Sequence, residues 1–420
     1  MGYVIVGCGI AGISAIETLR KYDQKCSITV ISDEKEPLYS RPLMSKVLSP
    51  RSAVGNIFIR DRDFFTKNNV WALLGEKVEE VDPEKREIRL RSGKKIQYEK
   101  LLLATGASPL IPKIEGIDRK MVFPFRQLED AIRLKEALKN AKNVLIVGGG
   151  PVGLELAYTL AKEGVKIKLI EMGRNLVPQL FDQAGSAILE KKLSSAGIEL
   201  HIGKTLKGLE GSIMRNRVKY AILSDGSVID TDLVILATGV KPNIELAVKS
   251  AISVGNGIYV DDHLETSIKG IYAAGDVAES KDLLSSSYTL SPFWISASTQ
   301  GKYAALNMLG RNVPYKETLA FQGTLRFDDV PVAFAGTLVY DRSFQEIALG
   351  PRNNVYKKIW FVNGKVSGFL FVGDIRNAGL IRSIILKRID IPAFRERLLD
   401  PDFSYAYFLK KEVEMSKNWL

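Results

Sequence analysis

The sequence predicts an α/β fold in which two units of the same design are followed by a smaller α+β unit. Three observations predict it. An apolar strand, Tyr3–Val6, runs into GCGIAG at 7–12, and a second, Asn143–Val147, runs into GGGPVG at 148–153, about 140 residues later. Each copy then reaches its own strand ending in ATG, within LLLATGASP at 101–109 and LVILATGVKPN at 233–243. Beyond residue 320 the pattern changes to alternating strands with one late helix, the composition of a small α+β domain.

A glycine loop between strand and helix holds a pyrophosphate for physical reasons. Gly7 and Gly148 permit the tight turn, Gly9 and Gly150 let the backbone approach the phosphates, and Gly12 and Gly153 let helix pack on strand. The helices open at Ile10 and Ala11 in one copy and at Pro151 and Val152 in the other, bringing a positive dipole end to the ligand. One such loop alone is weak, but two, each in strand-loop-helix context, predict two Rossmann-like dinucleotide sites. Ala104, Thr105 and Gly106, with Gly239 in the second copy, belong to the same sites.

Residues 1–112 read as strand, glycine loop, helix Ile10–Tyr22, strand Ser27–Ile31 and a β-rich stretch before the first ATG strand. Pro112, Gly116 and Pro124 mark a crossing into a second domain, 113–242. That domain repeats the pattern with helix Leu128–Asn140, helix Pro151–Glu163, strand Lys166–Ile170 and a helix near 183–196. Residues 243–320 carry GIYAAGD at 270–276 and helix Ile295–Leu309, and are expected to return to the first domain. The last domain, 321–420, has strands Thr324–Phe327, Val332–Leu338, Tyr356–Val362 and Lys365–Val372 and helix Asn377–Lys387.

With 420 residues, 46% hydrophobic and 25% charged, the chain fits a folded protein of two or three domains. No apolar run approaches the ~20 residues of a membrane span. The first strand begins by residue 3, leaving no room for a signal or transit segment, which predicts a cytoplasmic location. Cys8 and Cys26 form no C-x-x-C or C-x4-C pair, which excludes a local redox disulfide and a cysteine-ligated iron–sulfur cluster; both are read as small packing residues. His201 and His263 match no metal or triad spacing. The net charge of +11 fits an acidic protein partner or a solvated surface, and the absence of a zinc-finger or RNA-binding signature argues against nucleic acid.

An acid at the end of the second strand binds the adenosine ribose in such folds. The first copy offers Asp33, with Glu34 beside it, and the second offers Glu171. Glu171 would repel a 2′-phosphate, so the second site is expected to prefer NADH over NADPH, a preference that nearby Arg174 softens.

The chain resembles the FAD- and NADH-dependent pyridine nucleotide oxidoreductases, and among them the rubredoxin and ferredoxin reductases and the flavin portion of the nitrite reductase large subunit. GCGIAG at 7–12, YSRPLMSK at 39–46, ATGASP at 104–109, GGGPVGLELA at 148–157, ATGVKPN at 237–243 and YAAGD at 272–276 carry the resemblance. VYKKIWFVNGKVSGFLFVGD at 355–374 is similar to the family's interface domain. The resemblance implies FAD in the first site, with Gly275 and Asp276 at the ribityl chain and Asp33 on the adenosine ribose, and NADH in the second. It also implies that Lys46 lies by flavin N5 and pairs with Glu155, while Arg41 and Pro42 shape the cofactor loop. A fixed cation there stabilises negative charge as hydride arrives, and Glu155, set mid-helix between Leu154 and Leu156, needs a partner if buried. The helix after Trp294 is implied to point at the flavin N1–O2 edge; Trp294 lines the pocket or packs the domain junction, and both readings stay open.

The expected function is an NADH-dependent FAD oxidoreductase passing electrons to an iron or iron–sulfur protein. The basic stretch 35–67, with seven Lys/Arg against three Asp/Glu, suits an acidic carrier such as rubredoxin or ferredoxin. Two alternatives remain: a cysteine-independent NADH oxidase, and a flavoprotein subunit docked in a larger complex through the aromatic stretch 403–420; the partner expected besides the carrier is a homo-oligomer or that larger complex.

Overall fold

Short, buried apolar runs make the central strands, and the glycines that end them make the loops. In chain order the elements are β1 (Tyr3–Val6), α1 (Ile10–Tyr22), β2 (Ile28–Ser32), α2 (Met44–Val47), β3 (Val70–Leu74), β4 (Lys100–Leu103), β5 (Ala107–Pro109) and β6 (Val122–Pro124). Then come α3 (Leu128–Leu138), β7 (Asn143–Val147), α4 (Pro151–Lys162), β8 (Lys166–Glu171), α5 (Gln183–Ser195), β9 (Glu199–Ile202), β10 (Leu233–Leu236), β11 (Val240–Pro242), β12 (Ile271–Ala273) and α6 (Trp294–Met308). The C-terminal elements are β13 (Phe321–Phe327), β14 (Val330–Gly336), β15 (Gln345–Arg352), β16 (Val355–Val362), β17 (Lys365–Val372) and α7 (Ala378–Leu386). This computed structural model describes residues 2–212, 214, 216–336, 344–391, 395–404 and 406. Of the expected docking stretch 403–420, only 403, 404 and 406 are described.

The duplication read from the glycine loops extends to the sheets. The first is parallel with order β12-β4-β1-β2-β3, and the second is parallel with order β6-β10-β7-β8-β9. Tyr3 pairs with Ile28 and Lys100; in the second sheet Asn143 pairs with Lys166, and Val144 with Leu233. The outermost strand differs in origin. The first sheet takes it from β12, far downstream, and the second from β6, just upstream. Residues 271–273 thus return to the sheet that opens the chain.

Contacts divide the chain into two compact units. Residues 1–172 and 197–320, with both parallel sheets, form one; residues 173–196 and 321–420 form the other. In the first, α1 packs on α6, and Ile5, Ile13, Ile16, Leu19 and Leu101–Leu103 are buried, with Leu145, Ile146, Val234 and Ile235 buried in the second sheet. In the second unit an antiparallel sheet, β13-β14-β17-β16-β15, carries α7 on β14 and β17. Helix α5, read from the sequence within the second dinucleotide domain, is grouped here by its contacts. Asp182 fastens it: its carboxylate caps α5 at Gly185 N–H (3.0 Å) and accepts from Tyr356 Oη (2.5 Å) and Lys358 Nζ (3.0 Å) of β16.

Strand β15 had no signal in the sequence. Nearly all its residues are exposed, so it lacks the apolar alternation that marks a half-buried strand, and Gly350-Pro351 interrupts it. No helix among the described residues is long and apolar enough to cross a membrane.

Candidate active site

The two glycine loops are built alike, atom by atom. Gly7 has φ +104° and Gly148 φ +112°, left-handed values open to glycine, and their N–H groups reach the carbonyls of Ile31 (2.7 Å) and Ile170 (2.8 Å). A Cβ on Gly7 would lie 2.1 Å from the Ala104 carbonyl oxygen, and one on Gly148 2.3 Å from that of Ala237. Each loop therefore rests on the alanine of its own ATG. Around Gly9 and Gly150, by contrast, a Cβ would meet nothing within 4 Å: these positions face open space. Both cap their helices, α1 and α4, with no side-chain cap, so the first N–H groups stay available to an anion. Pro151 takes the first helical position, and Val152 beside it is exposed. This double cradle fits two pyrophosphates. Gly12 and Gly153 close it, each held against the carbonyl of the loop's first glycine.

The strand-end acids differ. Glu171 is buried, and its Oε2 accepts from the Gly149 N–H at 2.7 Å, so the carboxylate is part of the second loop. In register, Glu171 corresponds to Ser32 of the first copy, because Val6 pairs with Ile31 as Val147 pairs with Ile170. Asp33 falls one residue further on and is exposed, while Glu34 is engaged: it accepts from Tyr39 Oη at 2.6 Å and pairs with Arg41 at 2.5 Å.

Arg41 continues into a chain of contacts that the sequence did not announce. Its Nη1 donates to the Arg126 carbonyl (2.8 Å), and the Arg126 guanidinium pairs with Asp276 (2.5 Å) and donates to the Ala107 carbonyl (3.1 Å). Arg126 sits just before the capping box of α3, and the Arg126 and Gln127 amides both bind Asp130 Oδ2. It lies in the crossing between the two copies, outside both glycine patterns, where no spacing rule points. Gly275, beside Asp276, donates its N–H to the buried Gln300 Oε1 of α6 at 2.8 Å. Trp294 is the first residue of α6, whose N-terminus also has no side-chain cap. Thr105 and Gly106 are tied to Asn243, and Gly239 receives the Leu110 N–H on its carbonyl.

Lys46, exposed on α2, and Glu155 on α4 lie on helices that pack together. Burial pushes the Glu155 carboxyl up to about 7, against the opposing pull of the Lys46 charge. The two are coupled through the field, with no contact ion pair between them among the described residues. Cys8 and Cys26 are free thiols, and burial raises Cys8 far out of the reactive range. No cluster of metal-ligating side chains forms among the described residues; His201 stands 2.8 Å from Glu199.

A family model described as pyridine nucleotide-disulphide oxidoreductase matches residues 1–301. The chain belongs to this family. The oxidoreductase is 32% identical to an NADH oxidase of Methanocaldococcus jannaschii, over 97% of this chain and 95% of the relative. It is also 32% identical to a rubredoxin-NAD(+) reductase of Pseudomonas putida, over 75% of this chain and 81% of that one. An assimilatory nitrate reductase electron transfer subunit of Bacillus subtilis is 31% identical over 96% of this chain, which spans 52% of that protein's length. Among solved structures, a ferredoxin reductase of Rhodopseudomonas palustris superposes with a TM-score of 0.88 at 25% identity, covering 97% of this chain and 100% of that one. This oxidoreductase is a flavoenzyme of a family that uses FAD and NAD(P)H as its cofactors.

The buried Glu171 carboxylate sets an expected preference. Like charge at a desolvated acid rejects a 2′-phosphate, so kcat/KM for NADH should exceed that for NADPH by about tenfold or more. Glu171→Gln, which keeps the shape and an acceptor for Gly149 N–H, should narrow the ratio. Equal values in the native protein would remove Glu171 as the discriminating group.

Proposed function

We propose that the protein carries electrons from NADH to a small acidic iron or iron–sulfur protein, a rubredoxin or a ferredoxin. The first loop, with Asp33, Arg41, Arg126 and Asp276 around it, would hold FAD, and the second, with Glu171, NADH. Bound FAD takes two electrons together and releases them singly. The chain's own residues do the rest: the loops place the two cofactors, Lys46 supplies a positive field beside the reacting ring, and Glu155 holds a proton near neutral pH. Positioning and preorganised charge supply most of the rate in such a site.

The observation that carries the acceptor reading is the thiol chemistry. With two free cysteines, one of them buried in the glycine loop, no dithiol relay is built into the chain, so electrons would pass from the flavin directly to the acceptor. The +11 net charge suits an acidic one, and the rubredoxin- and ferredoxin-reductase relatives support the class. The free thiols also favour a cytoplasmic setting.

The test is anaerobic reduction of the FAD-loaded protein by NADH, then reoxidation by rubredoxin, ferredoxin and oxygen at low and high salt. Reoxidation by an iron protein is expected to be fastest and to slow at least several-fold as salt rises. Preference for oxygen would replace this reading with a direct NADH oxidase, which the M. jannaschii relative favours. Slow reaction with all three would point to a flavoprotein subunit of a larger assembly.

A further inference from the structure

Among the described residues, two segments carry the chain between the parallel sheets, one between β4 and β6 and one between β10 and β12. They do not cross independently. β5 and β11 pair antiparallel, Ala107 with Pro242, Ser108 with Lys241 and Pro109 with Val240. The ribbon has an internal two-fold pattern. At one end Asn243 N–H donates to the Gly106 carbonyl (3.0 Å), and at the other Leu110 N–H donates to the Gly239 carbonyl (2.9 Å). Likewise Thr105 Oγ1 donates to the Asn243 carbonyl (2.9 Å), and Thr238 Oγ1 to the Leu110 carbonyl (2.5 Å). Both ATG threonines thus reach across to the partner strand, and both ATG alanines support a glycine loop. The ribbon ties one loop to the other.

The pattern breaks at one pair of equivalent side chains. Leu110 is half exposed, whereas the Asn243 carboxamide spans the first ATG turn: Nδ2 donates to the Thr105 carbonyl (2.8 Å) and Oδ1 accepts from Ser108 Oγ (2.7 Å). The turn it brackets contains Gly106, at φ +65° with open space around it, a position with little stiffness of its own.

From this asymmetry we propose that Asn243 is a positioning residue for hydride transfer: it latches the ribbon to the first ATG turn and so fixes the second dinucleotide site against the first. It touches no reacting atom. It acts by holding the angle at which the chain leaves the FAD cassette, and a misplacement of about 1 Å between donor and acceptor costs on the order of 10²-fold in rate. The inference rests on the first loop holding FAD and the second NADH.

The experiment uses the FAD-loaded full chain. Asn243→Ala is expected to lower the limiting rate of flavin reduction at saturating NADH by about 10- to 100-fold. The dissociation constants of FAD and NADH should move by less than about threefold. The long-wavelength charge-transfer absorbance of reduced enzyme with NAD+ should weaken in parallel, because it reports ring overlap rather than turnover. Amide exchange should rise across 105–110 and 239–244. Ser108→Ala, which removes one of the two carboxamide bonds at an exposed site, should give a smaller loss of the same kind. Asn243→Asp keeps the acceptor for Ser108 but sets a carboxylate against the Thr105 carbonyl, and should resemble the alanine variant. An unchanged limiting rate and unchanged charge-transfer band in Asn243→Ala would overturn the proposal, as would loss of FAD affinity equal to the loss of rate. If the native protein itself shows no flavin reduction by NADH, the cofactor assignment fails instead, and the two failures are distinct.

Discussion

Lys46→Ala is expected to slow the limiting rate of flavin reduction by about 10²- to 10³-fold, the scale of removing one preorganised charge from a developing negative centre. NADH affinity should change by less than about threefold, because the interaction is made in the transition state and not with bound NADH. The fold gives no competing explanation. Lys46 is exposed on a four-residue helix and enters no ion pair among the described residues, and replacing such a surface residue moves stability by about 0.5 kcal/mol or less. Lys46→Arg, which keeps the charge on a differently shaped head, should recover part of the rate. Stopped-flow reduction across a range of NADH concentrations separates the two quantities. An unchanged limiting rate in Lys46→Ala would end the role proposed for this residue.

How much of this site the sequence disclosed depends on whether a feature is local. The glycine loops and their strands are contiguous, so spacing alone located Gly7, Gly9, Gly12 and their counterparts, and the helix bounds at α1, α3, α4, α5 and α6 came within two residues. Glu171 was legible because it ends a strand whose register is fixed by its pairing to β7. Arg126 was not. It gains its place only when β6 joins β10, which brings residue 126 to Asp276, 150 positions away. The Asn243 latch was hidden for the same reason: its partners, Thr105 and Ser108, lie across a ribbon that forms only after both sheets exist. Glu34 shows a subtler limit. The sequence offered it as a neighbour of the ribose acid, and the fold gives it to Tyr39 and Arg41. Residues 173–196 fall inside the stretch 113–242 by sequence, whereas their packing partner, the sheet of β15 and β17, follows much later in the chain.

Glu155 should make the protein less stable as pH rises, the reverse of the usual carboxylate. Its carboxyl ionises near 4.5 when unfolded and near 7 when folded, because burial opposes the charge more than Lys46 relieves it. Between those values the folded chain holds more protons than the unfolded one, so unfolding becomes easier with each step up through the window. The full cost is about 2–4 kcal/mol by pH 8. Glu155→Gln removes the titration and should be more stable than the native chain at pH 8 by a good part of that amount, with no advantage at pH 4. Urea midpoints of the apoprotein from pH 4 to 8 measure this directly. The same group should place a break near pH 7 in the rate of flavin reduction, absent in Glu155→Gln. The Lys46 charge holds the carboxyl down, so in Lys46→Ala the break should move upward. Parallel pH profiles in Lys46→Ala and native protein would mean that the two side chains act separately, whereas an upward shift would show that the ammonium on α2 and the carboxyl on α4 work as one coupled unit without touching.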